Sequence, residues 1–119
     1  MAKTIYLPDY GIHPDTGVDC SAALQSVFDS IVYDGEPISV QFKKGTYRIS
    51  RALSIRGAKN LTILGGTSTV LAHFDPTAPI SANNDVFHFY DSDDVTVSDF
   101  FFDTDNPIGA AGRITAINR

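Results

Sequence analysis

A chain of 119 residues, 43% of them hydrophobic and 19% charged, is long enough to bury one core but not two. Its formal net charge of -5 argues against partners that present phosphates, such as duplex nucleic acid or an anionic membrane, because binding them needs clustered Lys and Arg. Its one cysteine, Cys20, cannot form an intrachain disulfide, and no segment approaches the roughly 20 apolar residues of a membrane-spanning helix.

The first 37 residues predict a short strand, a turn-rich link and one helix. The strand covers residues 4–7 and ends at Pro8, and the link covers residues 9–17. Asp19 or Ser21 is placed to accept a free N–H of the first helical turn. Apolar residues with helical spacing then form one stripe over residues 21–32: Leu24, Val27, Phe28 and Ile31. We expect this helix to lie across the open end of a stack of strands.

Residues 38–66 alternate short apolar runs with tight turns, which is typical of stacked short strands. Four pairs of apolar residues, each two positions apart, mark the strands: Val40 and Phe42, Tyr47 and Ile49, Leu53 and Ile55, Leu61 and Ile63. The connectors are too short to hold a crossover helix. This pattern favours a solenoid over a doubly wound sheet.

An internal repeat predicts how the strands stack. Residues 59–63, KNLTI, align with residues 93–97, DDVTV. On this register one coil holds residues 53–55, 61–63 and 69–71, and the next holds residues 86–90, 95–97 and 100–102. Residues 73–85 form an irregular loop between them, at a corner where solenoids usually carry function.

A third coil begins at residues 113–117 and is not completed within the sequence. A solenoid needs about three or more repeats to hold together. We therefore expect a longer protein, or an open end that other chains close.

Four sequence segments, in their order along the chain, resemble the N-terminal part of pectin lyase-like right-handed parallel β-helix proteins. They are DYG at 9–11, AALQ at 22–25, VQFKKGTYRI at 40–49 and NLTILGG at 60–66. The family includes polygalacturonases, rhamnogalacturonase-type enzymes and phage tailspike depolymerases. The resemblance covers residues 6–103 and implies an all-β fold, a right-handed parallel β-helix. Residues 1–37 would form the strand, link and capping helix, and residues 38–119 the first coils.

The same resemblance implies that this chain is one part of a larger protein, and it implies the function of that protein. It would be the N-terminal part of a polysaccharide-degrading hydrolase or lyase, and a phage tailspike-type depolymerase acting on bacterial surface glycan is favoured. Such a protein would form a homotrimer and act in the virion or outside the cell, and no signal peptide is visible in the sequence. We expect the catalytic carboxylates in later coils, outside these 119 residues.

Two other readings stay open. One is a non-enzymatic virion or baseplate module, either structural or glycan-binding. The other is an excised folding fragment with no activity of its own.

An acid-rich corner supplies the candidate catalytic residues. Hydrolysis of a glycosidic bond needs one carboxyl group as acid and a second to activate water. Asp93 and Asp94 resemble the adjacent catalytic aspartates of polygalacturonases, although the Gly-His-Gly turn and the Arg-x-Lys strand of those enzymes are absent from the sequence. The alternative is a solvated turn whose acids cap backbone N–H groups. The further acids in this region are Asp91, Asp99, Asp103 and Asp105.

These acids leave a Ca²⁺ ion as an open alternative. Ca²⁺ takes about six to eight oxygen ligands, and lyases of the family use it to neutralise uronate carboxylates. The sequence has no EF-hand or nonapeptide spacing and no zinc spacing, so we assign no metal ligand. Elimination also needs a base, and Arg113 is the only arginine near the acids.

Residues 86–90, VFHFY, supply the candidate sugar-binding residues. Alternation places Phe87 and Phe89 on one face of a strand, and Val86, His88 and Tyr90 on the other. In the family, the glycan lies along the outer face of the first parallel sheet. The resemblance therefore implies His88 and Tyr90 as glycan contacts, with simple exposure or packing under a neighbouring loop as the alternative.

Phe101 and Cys20 complete the candidates. Alternation within residues 100–102, FFF, forces at least one ring outward, and an exposed Phe101 would suit a trimer contact or a covering loop. Cys20 has no accompanying His-Asp or His-Asn pattern, so we expect it to be a small buried residue.

Overall fold

The computed structural model describes residues 3–72, 85–104 and 115–118. Within them the chain is mostly β, as predicted, with one α-helix. The elements in chain order are β1 (Lys3–Tyr6), a 3-10 helix (Leu7–Tyr10), α1 (Ser21–Asp29), β2 (Ile38–Gln41), β3 (Thr46–Ile49), β4 (Leu53–Arg56), β5 (Lys59–Ala72), β6 (Asp85–Tyr90), β7 (Asp93–Thr104) and β8 (Thr115–Asn118).

Every pair of strands among the described residues is parallel. The order in one sheet is β1-β2-β5-β3, because the first half of β5 pairs with β2 and its second half with β3. β7 lies along the other edge of β5 over both halves. The second sheet has the order β4-β6-β8.

The register predicted from the internal repeat is confirmed for β4 with β6 and for the first half of β5 with β7, whereas residues 69–71 pair with residues 101–103 and not with residues 100–102. Leu61 lies beside Val95 in the pairing of β5 with β7, and Leu53 lies beside Phe87 in the pairing of β4 with β6. Residues 115–118, which the sequence assigns to a third coil, pair with β6 as β8. The predicted loop of residues 73–85 lies outside the described residues except for Asp85, where β6 begins.

β5 is one strand of 14 residues where the sequence predicts two. Its register against β7 shifts between Leu64 and Ser68, so three residues of β5 lie opposite one residue of β7. The buried Ser68 hydroxyl donates to the backbone carbonyls of Gly65 and Lys43. These bonds satisfy a polar group at a bend in an otherwise apolar wall.

All eight residues of the predicted strand pairs are buried. They are Val40, Phe42, Tyr47, Ile49, Leu53, Ile55, Leu61 and Ile63. Side chains two positions apart share one face of a strand, so alternation selects the inward residues correctly. Phe42 packs edge-to-face on both Tyr47 and Phe100, with ring centroids 5.0 and 4.9 Å away.

Helix α1 begins at Ser21 as predicted but ends at Asp29, three residues before the predicted end. The Ser30 hydroxyl donates to the carbonyl of Val27, a local bond that competes with continuation of the helix. At the start of the helix, Asp19 accepts bonds from the N–H and hydroxyl of Ser21 at 2.9 and 2.6 Å. Partial burial favours a higher pKa of Asp19, but hydrogen bonds from Ser21 and Ser50 outweigh it and lower the pKa.

The strand edges at the N-terminal side are covered by three different segments. β1 pairs with β2. The segment just before α1 pairs with β3, where the N–H of Cys20 donates to the carbonyl of Arg48 at 2.9 Å. Gln25 of α1 covers β4, since its amide accepts from the N–H of Ser54 at 2.9 Å and donates to the carbonyl of Ser54 at 2.7 Å. These contacts satisfy backbone groups that an edge strand otherwise exposes.

Candidate functional site

The candidate sugar-binding strand, β6, alternates as predicted over most of its length. Phe87 and Phe89 are buried, whereas His88 and Tyr90 are only partly buried. Val86 departs from the pattern, because alternation places it on the face of His88 and yet it is fully buried. The two candidate glycan contacts therefore lie on the face of β6 opposite to the core phenylalanines.

His88 and Tyr90 form a stack with Arg56 of the neighbouring strand, which we call the Arg56 stack. The His88 and Tyr90 rings are 9° from parallel with centroids 4.1 Å apart, and the Tyr90 hydroxyl lies 3.4 Å from Nδ1 of His88. Arg56 lies beside Tyr90 in the register of β4 with β6, and its Cζ is 4.0 Å from the centre of the Tyr90 ring. The distance is that of a cation–π contact.

Sequence reasoning missed Arg56, although a signal for it was present. Once Leu53 is aligned with Phe87 through the internal repeat, Arg56 falls beside Tyr90, because both strands keep the same register. Residues paired across neighbouring strands are close enough for side chains to interact. The contact changes what Tyr90 can do, since a guanidinium already covers area of the ring that a sugar could otherwise stack on.

A cavity of about 320 Å³ lies between α1 and β4 and has Arg56 in its wall. Gln25, Asp29, Tyr33 and Ser54 also line it. The Gln25 amide nitrogen donates to Asp29 as well as to Ser54, so this amide is held in place from both sides. The volume is at the small end of the range for ligand pockets.

Tyr33 is the unusual group in the cavity wall. Its hydroxyl is buried and has no hydrogen-bond partner among the described residues. Burial raises the pKa of Tyr33 to about 12. The phenol therefore stays protonated at neutral pH, as a donor without an acceptor.

The candidate catalytic acids lie on exposed corners. Asp91 has φ 48° and Asp94 has φ 54°, and both side chains are exposed, as is that of Asp93. Asn60, which occupies the corresponding position at the start of β5, has φ 53°. Asp and Asn tolerate this left-handed conformation better than other non-glycine residues. The shared geometry supports a turn role for Asp91 and Asp94.

Asp94 also lines a second, more open cavity of about 660 Å³ on the outer side of β5 and β7. Asn60, Thr62 and Thr96 contribute amide and hydroxyl groups to the same wall. Thr62 lies beside Thr96 in the strand register. This wall offers hydrogen-bonding groups to a polar ligand.

The remaining acids do not form a common site in the part of the chain that the structure describes. Asp99 has φ 63° at the register shift of β7, and Asp103 is exposed. Asp105 and Arg113 lie outside the described residues. Within those residues, no three His, Cys, Asp or Glu side chains come together to hold a metal ion. The Ca²⁺ alternative has no ligand set there.

Cys20 has a structural role, since its thiol is hydrogen-bonded to the backbone. Its thiol lies 3.1 Å from the carbonyl of Arg48, to which it donates. Burial, together with the charge of Asp19, raises the pKa of Cys20 to about 11. The thiol is therefore protonated at neutral pH and is a poor nucleophile.

Over the described ranges, no helix is both long and apolar enough to cross a membrane. In comparisons with known proteins, no family model matches this chain and no curated protein matches it.

Proposed function

We propose that the chain is the N-terminal part of a right-handed parallel β-helix protein that acts on polysaccharide, of the phage tailspike depolymerase type. In this proposal these 119 residues bind glycan through the Arg56 stack, and the catalytic carboxylates belong to later coils. The protein would act as a homotrimer in the virion or outside the cell.

The coiled architecture is supported by the strand register. Residues 53–72 and residues 85–104 pair in the same order and in parallel, with β4 on β6 and β5 on β7. β8 then continues the β4-β6 sheet. Parallel pairing of successive segments with short corners is the pattern of a solenoid, in which each repeat buries its face on its neighbour.

Glycan binding rests on one observation, the outward stack of Arg56, Tyr90 and His88. It combines a guanidinium and an imidazole, both packed on the Tyr90 ring, on one sheet face. Sites for polar ligands usually join apolar or aromatic surface with a few placed polar groups. Catalysis by Asp93 and Asp94 has less support, because both are exposed and the left-handed backbone of Asp94 accounts for an aspartate at that position.

Affinity electrophoresis of the 119-residue chain in a panel of bacterial capsular and pectic polysaccharides tests this proposal. Tyr90→Ala removes the centre of the stack and should abolish retardation by the bound polysaccharide. Tyr10→Ala, at a tyrosine that is 53% exposed in the 3-10 helix, is the matched control and should retain it. Thermal unfolding monitored by circular dichroism checks that both variants fold.

Retardation by no member of the panel, or equal retardation of Tyr90→Ala, would contradict glycan binding at this stack. Release of reducing sugar by the wild-type chain would instead place catalysis within these residues. Asp93→Asn and Asp94→Asn would then identify the acid responsible.

One observation favours the structural module as a second candidate. Phe101 is 64% exposed on β7, as alternation predicted, while Phe100 and Phe102 pack against the core. An exposed aromatic ring on a sheet face suits contact with another subunit.

A further inference from the structure

The segment between α1 and β2 contains an Asp-Gly pair, Asp34 and Gly35, and the sequence has no other such pair. Both residues are exposed, and the segment belongs to no helix or strand. An aspartate followed by glycine can react with its own backbone, because glycine has no Cβ to shield the nitrogen that joins the two residues. Such a reaction needs the carboxyl group to lie close to that nitrogen.

The Asp34 side chain is turned toward the peptide groups that follow it. Its Oδ1 accepts a bond from the N–H of Glu36 at 3.0 Å, which forms an Asx turn. The Gly35 N–H has no hydrogen-bond partner among the described residues. Gly35 has φ +94°, and no described atom lies within 4 Å of the position that a Cβ would take. The Asp34 carboxyl group is thus held beside a nitrogen that this part of the chain leaves accessible.

We propose that Asp34 is a modification site, at which aspartate converts spontaneously to isoaspartate. The Gly35 nitrogen attacks Cγ of Asp34, and a carboxyl oxygen leaves as water with the amide proton and a proton from solvent. Water then opens the resulting cyclic imide. Opening at Cγ restores aspartate, whereas opening at the backbone carbonyl carbon leaves the chain linked through the side chain. An attack between groups held side by side is favoured by their high effective concentration.

Isoaspartate lengthens the main chain by one methylene group, next to a carbonyl that anchors this segment. The carbonyl of Gly35 accepts from Nδ2 of Asn60 at 2.7 Å, which ties the segment to the start of β5. The carbonyl of Pro37 accepts from the N–H of Lys3 at 2.9 Å, which ties it to β1. An added main-chain atom just before Gly35 displaces its carbonyl, so the bond from Asn60 should be lost.

Asp29 and Ser30 provide an internal comparison, because Asp29 is also exposed and is also followed by a small residue. There the attacking nitrogen is already engaged. The Ser30 N–H donates to the carbonyls of Ser26 and Val27 at 3.1 and 3.2 Å. The folded chain should therefore protect Asp29 and leave Asp34 reactive.

Peptide mapping of the 119-residue chain, after incubation in neutral buffer at physiological temperature, tests this proposal. The tryptic peptide of residues 4–43 contains both aspartates. It should gain a second chromatographic peak of unchanged mass, and electron-transfer fragmentation should locate the isoaspartate at position 34. Asp34→Glu keeps the charge and should give no second peak, because its longer side chain would have to close a larger ring.

Incubation in guanidinium chloride separates the effect of the fold from that of the sequence. Both aspartates should isomerise in the unfolded chain, whereas in native buffer Asp34 should react at a comparable rate and Asp29 far more slowly. Absence of isoaspartate at Asp34 in native buffer, or equal amounts at the two positions, overturns the proposal.

Thermal unfolding of fresh and incubated protein tests the consequence for the fold. The incubated wild-type chain should unfold at a lower temperature than the fresh chain, in proportion to its content of isoaspartate. Asp34→Glu should unfold at the same temperature before and after incubation. Isoaspartate at Asp34 without any change in unfolding would overturn its effect on the bond with Asn60.

Discussion

At the scale of single residues, the hydroxyls of Tyr33 and Tyr47 differ in whether they have a hydrogen-bond partner among the described residues. The Tyr47 hydroxyl donates to the carbonyl of Lys43 at 2.5 Å. The Tyr33 hydroxyl is buried with no partner among the described residues. Burial raises the pKa of both phenols to about 12, so both are neutral donors, but only one is satisfied.

We expect Tyr33→Phe to leave the free energy of unfolding unchanged or to raise it by up to about 1–3 kcal/mol, because an unsatisfied buried group is removed. Tyr47→Phe should lower it by about 1 kcal/mol, because a made hydrogen bond is lost. Urea unfolding of the two variants measures both changes. A clear loss of stability in Tyr33→Phe would show that its hydroxyl has an acceptor.

At the scale of elements, Gln25 allows α1 to cover the exposed edge of β4. Gln25 bonds to both backbone groups of Ser54, as a neighbouring strand would. Gln25→Ala should lower the free energy of unfolding by about 1–3 kcal/mol, since two backbone groups of β4 lose their partners. The amide of Ser54 should also exchange faster with solvent in hydrogen-exchange experiments.

Gln41→Ala is the matched control for the capping glutamine. Gln41 lies on β2 with its side chain partly buried, and no hydrogen bond of its side chain is found among the described residues. Its replacement should change stability by less than about 0.5 kcal/mol. Equal losses for the two variants would contradict the capping role of Gln25.

The bend of β5 depends on Gly65, whose backbone packs directly against Asp99 and Phe100 of β7. A Cβ at Gly65 would overlap the carbonyl oxygen of Asp99 and would lie 2.8 Å from the Phe100 ring. Gly65→Ala should therefore lower the free energy of unfolding by about 3 kcal/mol or more, because backbone must move.

Gly57→Ala separates this clash from the cost of backbone conformation. Gly57 has φ +65°, but a Cβ there would meet no atom within 4 Å, so alanine should cost only about 1–2 kcal/mol. Thermal and urea unfolding compare the two variants. A smaller loss for Gly65→Ala than for Gly57→Ala would be inconsistent with close packing at the bend.

At the scale of the whole molecule, the exposed ring of Phe101 bears on assembly. If subunits meet at this ring, Phe101→Ser should lower the mass measured by light scattering toward that of a single chain. Val32→Ser, at a valine that is 78% exposed outside the sheets, should leave the mass unchanged. A mass that is the same in all three proteins would exclude Phe101 from the contact between subunits.

Local pattern by itself determined a large part of this fold. Alternation identified the buried residue of each short strand, such as Tyr47 and Leu61, because successive side chains must point to opposite faces. The KNLTI and DDVTV repeat predicted that Leu61 lies beside Val95, since equal segments bury equal faces on one another. The start of α1 at Ser21 followed from capping chemistry and spacing.

Long-range contacts decided the rest. The placement of Arg56 over Tyr90 joins positions far apart in the chain, as do all the pairings of β4 with β6. The bond of Gln25 to Ser54 and the burial of Val86 likewise depend on neighbours that alternation does not specify. The sequence indicated His88 and Tyr90 as outward residues, but only the tertiary structure made them part of a cationic stack, because charge, ring and cavity come from separate elements that meet on folding.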